Sequence, residues 1–147
     1  MIDFPAEITN DTFNTLFSRG MVIRTKVVLH DGSEDYKRLI VVSLDCTVDD
    51  TYHMICTSKT AFFTNNPFVK EDCHFIEPGQ TTIFDRQAVI DLRKIFSLQK
   101  VELVQRYSRN NLDFLGALRD DIMLLVDGKL RRSRLLSPKQ KTSIVTL

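Results

Sequence analysis

Residues 21–43, MVIRTKVVLHDGSEDYKRLIVVS, decide the fold because they carry two strand patterns around one turn signal. The first half alternates between apolar and basic residues, which is the period of a half-buried strand. Its apolar positions are Met21, Ile23, Val27 and Leu29, and its basic positions are Arg24 and Lys26. The Asp-Gly pair at residues 31–32 signals a turn, and KRLIVVSLD behind it is apolar enough for a buried second strand. The pattern therefore predicts a hairpin with a long loop over Asp31 to Tyr36.

The chain continues as short predicted strands separated by turn residues. Further strands are predicted over residues 51–59, 72–76 and 81–92, the last as one long strand or as two with a break near residues 85–87. Sequential strands at this spacing favour a small, strongly bent antiparallel barrel or sandwich. We therefore expect a mainly β fold.

Helical spacing of apolar residues occurs at both ends of the chain. It predicts an N-terminal helix over Asn10 to Arg19 and a short helix that starts at Ser97. The clearest pattern is NNLDFLGALRDDIMLLVDG, residues 110–128, with Asn111 as a candidate N-cap and Gly128 as the stop. We expect an N-terminal helix and a C-terminal helix to flank the barrel.

Length and composition indicate one soluble domain. A chain of 147 residues can bury a core of its own, and 43% hydrophobic with 27% charged residues argues against disorder. Three cysteines, Cys46, Cys56 and Cys73, are too few for a disulfide framework, so we expect a reducing compartment. The sequence shows no signal-peptide pattern at residues 1–11 and no run of 18 apolar residues, so we expect a cytoplasmic protein.

The charge is distributed unevenly along the chain. Six of the 20 Lys and Arg residues follow Gly128, where no Asp or Glu occurs, which leaves 14 cations against 19 anions before it. We therefore divide the chain into a domain over residues 1–128, with residues 1–19 as a helical lead-in, and a basic tail over residues 129–147. The tail either contacts nucleic acid or an acidic partner, is solvated, or packs on the fold through its apolar residues.

Sequence motifs of the common catalytic chemistries are absent. The sequence contains no Gly-rich phosphate loop, no HExxH and no GxSxG. Cys73 and His74 are adjacent and face opposite ways in a strand, while His30, His53 and Cys56 lack the spacing of metal ligands. We therefore predict no metal site. A Cys-His nucleophile pair remains an alternative, although buried structural thiols are commoner.

Polar and basic residues stand at the ends of two consecutive predicted strands. Lys37 and Arg38 begin one apolar strand, and Thr57, Ser58 and Lys59 end the next. If the two strands are antiparallel neighbours, Arg38 and Thr57 come close together. A guanidinium beside a hydroxyl then forms an anion or phosphate site. The alternative is that Arg38 is a solvated flanking charge and Thr57 an ordinary strand residue.

Several segments occur in the order found in the PemK/MazF family of toxin endoribonucleases. The sequence resembles that family in Gly20 followed by an apolar strand, then DGSEDYKRLIVVS, ICTSK, TIFDRQAVIDL and a closing helix, over roughly residues 20–128. It departs from the family at Leu39, where Pro is usual. It also departs at Arg86, where Gln is expected and Gln87 follows one place later.

The resemblance implies an SH3-like barrel, usually a homodimer, that cleaves single-stranded RNA without metal or other cofactor and has a cognate antitoxin as partner. The 2′-hydroxyl attacks the adjacent phosphorus and leaves a 2′,3′-cyclic phosphate. Arg38 matches the family's catalytic Arg and Thr57 its catalytic Thr. Because Arg is a poor base at neutral pH, Arg38 suits stabilisation of transition-state charge. Weaker candidates for RNA binding are Lys37, Ser58, Lys59, Arg86 and Gln87, and bases could stack on Phe62, Phe63 and Phe68 if these are not core or dimer residues.

A second hypothesis keeps the fold and removes the catalysis. Related barrels poison gyrase or serve as interaction modules, and a fold alone does not decide function. A nuclease needs both Arg38 and Thr57, whereas a binding module does not need both. Toxins of the related RNA-antitoxin type share the barrel and also cleave RNA.

Overall fold

The computed structural model describes residues 6–29 and 31–146, which form a mixed α/β fold. Its strands are β1 (Met21–Val28), β2 (Glu34–Val41), β3 (Asp50–Thr57), β4 (Cys73–Ile76), β5 (Ala88–Asp91), β6 (Phe96–Gln99) and β7 (Leu112–Ala117). Its α-helices are α1 (Ala6–Leu16), α2 (Ala61–Asn65), α3 (Lys100–Ser108), α4 (Asp120–Arg132) and α5 (Pro138–Ile144). Short 3₁₀ turns cover Pro67–Asp72 and Pro78–Gln80.

All the strands belong to one antiparallel sheet in the order β4-β5-β3-β2-β1-β7, with β6 also paired to β3. Strands β5 and β6 share one edge of β3: β5 pairs at its end and β6 at its start. In the described part of the chain β4 and β7 do not pair, so the sheet is not closed as a barrel. The expectation of a mainly β closed barrel is therefore corrected to an open sheet with helices at both ends.

The hairpin of β1 and β2 is present, but its turn is shorter than predicted. The Leu29 N–H donates to the Ser33 carbonyl at 2.7 Å and the Gly32 N–H donates to the Leu29 carbonyl at 2.9 Å. Gly32 has a φ of +83°, a left-handed conformation that favours glycine. Strand β2 consequently begins at Glu34, and Arg38 is its fifth residue rather than its first. The backbone ladder extends beyond the apolar stretch from which the strand was predicted.

Two apolar cores lie on the two faces of the sheet, because successive side chains of a strand point to opposite sides. The α1 face is defined by core residues that pack with α1 and α3: Phe13, Ile23, Leu39, Val41, Leu103 and Leu112. The α4 face is defined by core residues that pack with α4 and α5: Val22, Ile40, Met54, Cys56, Ile90, Ile122 and Ile144. The predicted alternation along β1 is confirmed, since Met21, Ile23, Val27 and Leu29 all belong to the α1-face core.

Three of the predicted helices have different boundaries in the structure. The N-terminal helix α1 is Ala6–Leu16 rather than Asn10 to Arg19. Residues 96–99 form β6, so the helix predicted from Ser97 begins at Lys100. The single helix predicted over residues 110–128 is strand β7 followed by α4, so Asn111 is not its cap. Gly128 does not stop α4, which continues to Arg132. A glycine inside a helix costs only about 1 kcal/mol relative to alanine, which tertiary packing outweighs.

The last 19 residues of the chain pack on the fold as far as they are described. Leu136, Ile144 and Val145 are buried in the α4-face core. Arg19 ties this segment to the sheet, because its guanidinium donates to the Ile144 carbonyl at 2.5 Å and to Asp127 Oδ1 at 2.6 Å. The boundary drawn after Gly128 thus falls inside α4. Among residues 6–29 and 31–146, no helix is both long and apolar enough to cross a lipid bilayer.

Candidate nucleic-acid interface

Arg38 lies at the centre of a row of cross-strand neighbours. In the sheet register it is opposite Arg24 of β1 on one side and opposite Cys56 of β3 on the other. Directly opposed residues of antiparallel strands point to the same face. Because Cys56 belongs to the α4-face core, the two arginines are on that face as well. Both arginines are exposed, whereas Cys56 is buried.

The two guanidinium groups share this face without a carboxylate partner. No ion pair formed by the described residues includes Arg24 or Arg38, even though Asp113 of β7 is opposite Arg24 in register. Like charges directly opposite each other in a sheet are destabilising. Two uncompensated cations in one row are the electrostatic complement of an anion such as phosphate.

Each arginine is instead stacked on an aromatic ring. Arg24 Cζ is 4.6 Å from the centroid of the Tyr36 ring, and Arg38 Cζ is 5.4 Å from the centroid of the Phe84 ring. These cation–π contacts are each worth about 0.5–1 kcal/mol at exposed sites and leave the N–H donors at the guanidinium edge available. We call Arg24, Tyr36, Arg38 and Phe84 the paired-arginine cluster. Sequence reasoning identified Arg38 and missed the other three residues.

The loop before β5 supplies the apolar support of this cluster. Phe84 is only 3% exposed, so the ring under Arg38 is part of the core. Its neighbour Ile83 lies against β7, where a Cβ added to Gly116 would be 3.1 Å from Ile83 Cγ1. Gly116 also has a φ of +141°, which few other residues adopt. The segment is therefore seated closely on the sheet and fixes the position of Phe84.

Two lysines flank the cluster and are neutralised locally. Lys26 Nζ is 3.6 Å from Glu34 Oε2 and Lys37 Nζ is 3.5 Å from Asp35 Oδ2. Lys26 also lies 5.8 Å from the centroid of the Tyr36 ring. Lys37, a predicted RNA-binding residue, is one position from Arg38 and therefore points to the α1 face. The two cations that sequence reasoning grouped together are thus on opposite faces of β2.

Thr57 also points away from Arg38. The backbones are neighbours, since Arg38 is opposite Cys56, the residue before Thr57. Side chains alternate along β3, so Thr57 is on the face opposite to Cys56 and Arg38. Its register partner Val89 accordingly packs in a separate cluster with Phe63 and Cys73 rather than in the α4-face core. The structure does not bring the guanidinium of Arg38 and the hydroxyl of Thr57 to the same face.

The remaining predicted RNA-binding residues lie in loops around β3 and β5. The Thr57 hydroxyl accepts a hydrogen bond from the Lys59 N–H at 3.1 Å, which turns the chain after β3 and leaves Ser58 half-buried and Lys59 exposed. Arg86 is exposed, with Nε 3.7 Å from Asp85 Oδ1, two positions after Phe84. Gln87 Nε2 donates to Glu77 Oε1 at 2.8 Å, so its amide is already engaged.

The thiols do not support the Cys-His alternative. Burial raises the pKa of Cys56 to about 12 despite the charge of Arg38, so this thiol is protonated at neutral pH. Burial also raises the pKa of Cys73, next to which His74 has a pKa lowered by burial and by Lys129. Within the described ranges, no group of three His, Cys, Asp or Glu side chains is arranged to hold a metal ion.

No protein-family model matches this chain, and no curated protein is similar enough to count as a relative. The resemblance to PemK/MazF toxins therefore stands on the motifs quoted above. The paired-arginine cluster is the feature of the structure on which a function can be argued.

Proposed function

We propose that this protein is the toxin of a toxin–antitoxin pair and cleaves single-stranded RNA without a metal, through a fold related to the SH3-like barrels of PemK/MazF toxins. The observation that carries the proposal is the paired-arginine cluster, in which Arg24 and Arg38 expose two uncompensated guanidinium groups on one sheet face. Guanidinium groups bind phosphate through paired N–H donors, and the rings of Tyr36 and Phe84 hold these two guanidinium groups in position.

In the proposed reaction the 2′-hydroxyl oxygen of one nucleotide forms a bond to the adjacent phosphorus. The bond from phosphorus to the 5′-oxygen of the next nucleotide breaks, which gives a 2′,3′-cyclic phosphate and a 5′-hydroxyl. The proton of the 2′-hydroxyl leaves to a base, and the departing 5′-oxygen takes up one proton. We assign to Arg38 the stabilisation of the charge that grows on the phosphoryl oxygens and the donation of a proton to the departing oxygen. Arg24 holds the same or the neighbouring phosphate.

Thr57 is the second catalytic residue that the resemblance implies. Because its side chain is on the other face of the sheet, its hydroxyl acts on the same RNA only if the strand passes around the end of β3. Because Thr57 and Arg38 lie on opposite faces, we retain one alternative function. In this alternative the protein is a non-catalytic module that binds an anionic partner at Arg24 and Arg38. A binding module does not require Thr57.

We also propose that the protein is a homodimer and that it has a cognate antitoxin as partner. The outward face of α4 carries Leu124 and Leu125, which are 68% and 59% exposed. A second copy packed on this face buries both leucines. Light scattering at micromolar concentration should therefore give twice the chain mass, and a monomer contradicts the dimer.

Cleavage in the absence of divalent cations is the decisive experiment. Purified protein is incubated with mixed RNA in EDTA, and the ends of the products are analysed. We expect cyclic-phosphate ends in EDTA and a loss of roughly two to three orders of magnitude in rate for Arg38→Ala, as one transition-state contact is removed. Arg119→Ala is the matched control, because this exposed arginine is paired with Asp121 on α4. Dependence on Mg²⁺, or equal rates for Arg38→Ala and Arg119→Ala, contradicts the proposal.

Binding without cleavage identifies the alternative. If Arg24→Ala and Arg38→Ala lower RNA affinity while no cyclic phosphate forms under any condition, the protein is a binding module. A Thr57→Ala variant with unchanged cleavage assigns catalysis to the paired-arginine cluster alone.

A further inference from the structure

The chain from the end of β3 to Lys70 combines aromatic and basic residues, and its first acidic residues, Glu71 and Asp72, come directly before β4. Residues 57–70, TSKTAFFTNNPFVK, contain three Phe and two Lys but no Asp or Glu. They form helix α2 and the start of the 3₁₀ turn over Pro67–Asp72. Phe63 is buried, whereas Phe62 is 46% exposed and Phe68 is 77% exposed. Exposed rings among cations are the composition of surfaces that bind single-stranded nucleic acid.

Contacts with Arg93 and Phe63 hold the ring of Phe62 in place. Arg93 donates to both oxygens of Asp91, from Nε at 2.9 Å and from Nη2 at 3.0 Å. The same guanidinium lies 4.9 Å from the centroid of Phe62 and 5.2 Å from that of Phe63. The two rings are 5.3 Å apart and perpendicular, at 89°. A bidentate ion pair and an edge-to-face ring contact thus fix Phe62 while leaving part of it open to solvent.

We infer that Phe62 is a stacking platform for a base of single-stranded RNA, a second contact that rests on the proposed function. Its ring needs no ordering on binding, which lowers the entropic cost of stacking a base. Exposed Lys59, Lys70 and Lys94 are on the segments that surround it and supply charge for the backbone. Arg93 is a positioning residue, since it contacts the ring and its own charge is met by Asp91.

The platform lies at the Thr57 end of β3. Phe63, which supports Phe62, packs in one cluster with Val89, the register partner of Thr57. An RNA strand stacked on Phe62 therefore runs beside Thr57, Ser58 and Lys59. The proposed contact accounts for the exposure of Phe62, which the cluster around Arg38 does not use.

Tryptophan fluorescence gives a direct test, because the protein contains no Trp. Phe62→Trp places a single indole on the platform, and the variant is titrated with a short 2′-O-methyl oligouridine, which lacks the attacking hydroxyl and cannot be cleaved. We expect saturable quenching as a base stacks on the indole. Phe68→Trp is the matched control: Phe68 is more exposed and, among the described residues, contacts no ring or guanidinium. Its emission should change little.

A second variant measures the energetic contribution. Phe62→Ala should weaken binding of the same labelled oligonucleotide at least about fivefold by anisotropy, the effect of losing one stacked base. Equal quenching of the two Trp variants, or binding that leaves Phe62→Trp emission unchanged, overturns the inference. A blue shift with rising protein concentration and no RNA also overturns it, since the ring then belongs to a protein interface. If the protein cleaves RNA but the Phe62→Trp emission is not quenched, the stacking platform is refuted and the proposed nuclease activity stands. If the emission is quenched but no RNA is cleaved, the nuclease activity is refuted and the stacking platform stands.

Discussion

The buried imidazole of His53 should make the protein lose stability in mild acid. His53 Nε2 is 2.8 Å from the Thr51 hydroxyl, which is itself 2.8 Å from the Leu98 carbonyl. Because a carbonyl only accepts, the hydroxyl donates to Leu98 and accepts from Nε2–H of His53. The other ring nitrogen, Nδ1, has no hydrogen-bond partner among the described residues. The ring is therefore neutral, with an unpartnered lone pair in the interior.

Burial lowers the pKa of His53 from 6.5 to about 3 in the folded protein. The unfolded chain takes up a proton below pH 6.5, whereas the folded protein does not until about pH 3. Stability is therefore complete above pH 6.5 and falls as the pH decreases toward 3, by about 1.4 kcal/mol per pH unit at the steepest part. Between pH 6 and pH 4 the loss is about 2.5 kcal/mol, a large fraction of the roughly 5–15 kcal/mol that stabilises a domain.

Urea unfolding at pH 7, 6, 5 and 4 measures this loss. His53→Gln is the informative variant, because its amide is neutral throughout and can still donate to Thr51. We expect the variant to be less dependent on pH between 6 and 4 by about 2.5 kcal/mol, whatever its stability at pH 7. Asp45 and Asp121 have pKa values lowered by hydrogen bonds from Thr47 and Arg119, and their contribution is lost only below their ordinary values near 3.8. If wild type and His53→Gln lose stability in parallel, the assignment is refuted.

Two further outcomes follow from the packing and the charges. Ile144→Ala should lower the free energy of unfolding by about 2–5 kcal/mol, because the Ile144 side chain is fully buried although it belongs to the basic tail. Thermal unfolding measures this loss. A change below about 0.5 kcal/mol contradicts the packing of α5. Arg24→Ala should change the stability by less than about 1 kcal/mol, because the lost contact with Tyr36 is offset by relief of repulsion from Arg38. It should weaken RNA binding and reduce the slope of log affinity against log salt by about 0.7, and an unchanged slope removes Arg24 from the phosphate contacts.

The alternation of residues 21–29 predicted β1 and its faces correctly because a half-buried strand shows its period directly. The sequence did not show which residue would be opposite Arg38. That register depends on the turn between β1 and β2, and the short turn closed at Leu29 and Ser33 sets Val28 opposite Glu34 and hence Arg24 opposite Arg38. A loop predicted over Asp31 to Tyr36 leaves the register undefined. A two-residue turn at the Asp-Gly pair would place Thr25 opposite Arg38, so the pair read as a tight turn gives the wrong register. Only a turn centred on Asp31, with Gly32 in the left-handed conformation, places Arg24 opposite Arg38.

Strand β7 was predicted as a helix for a different reason. Residues 112–126 contain apolar residues at helical spacing throughout, so periodicity alone does not separate the strand from α4. Asn110, with a φ of +60°, ends α3, and Phe114 then packs against Phe13 at a centroid distance of 5.5 Å. Such long-range packing overrides local propensity, and the sequence around residue 114 contains no pattern that indicates it.

The end of β3 is the place where the two proposed RNA contacts can be connected. Arg38 is on the α4 face and Thr57 is on the other, yet their backbones are one register step apart. A longer β3 would separate the two faces of the sheet at this point. Strand β3 instead ends at Thr57, and the chain turns away at Lys59. A single RNA strand can therefore pass around this end, from the phosphate contacts of Arg24 and Arg38 to the ring of Phe62. The two opposed arginines support the start of this path, because an anion bound between them relieves their mutual repulsion and so stabilises the folded protein.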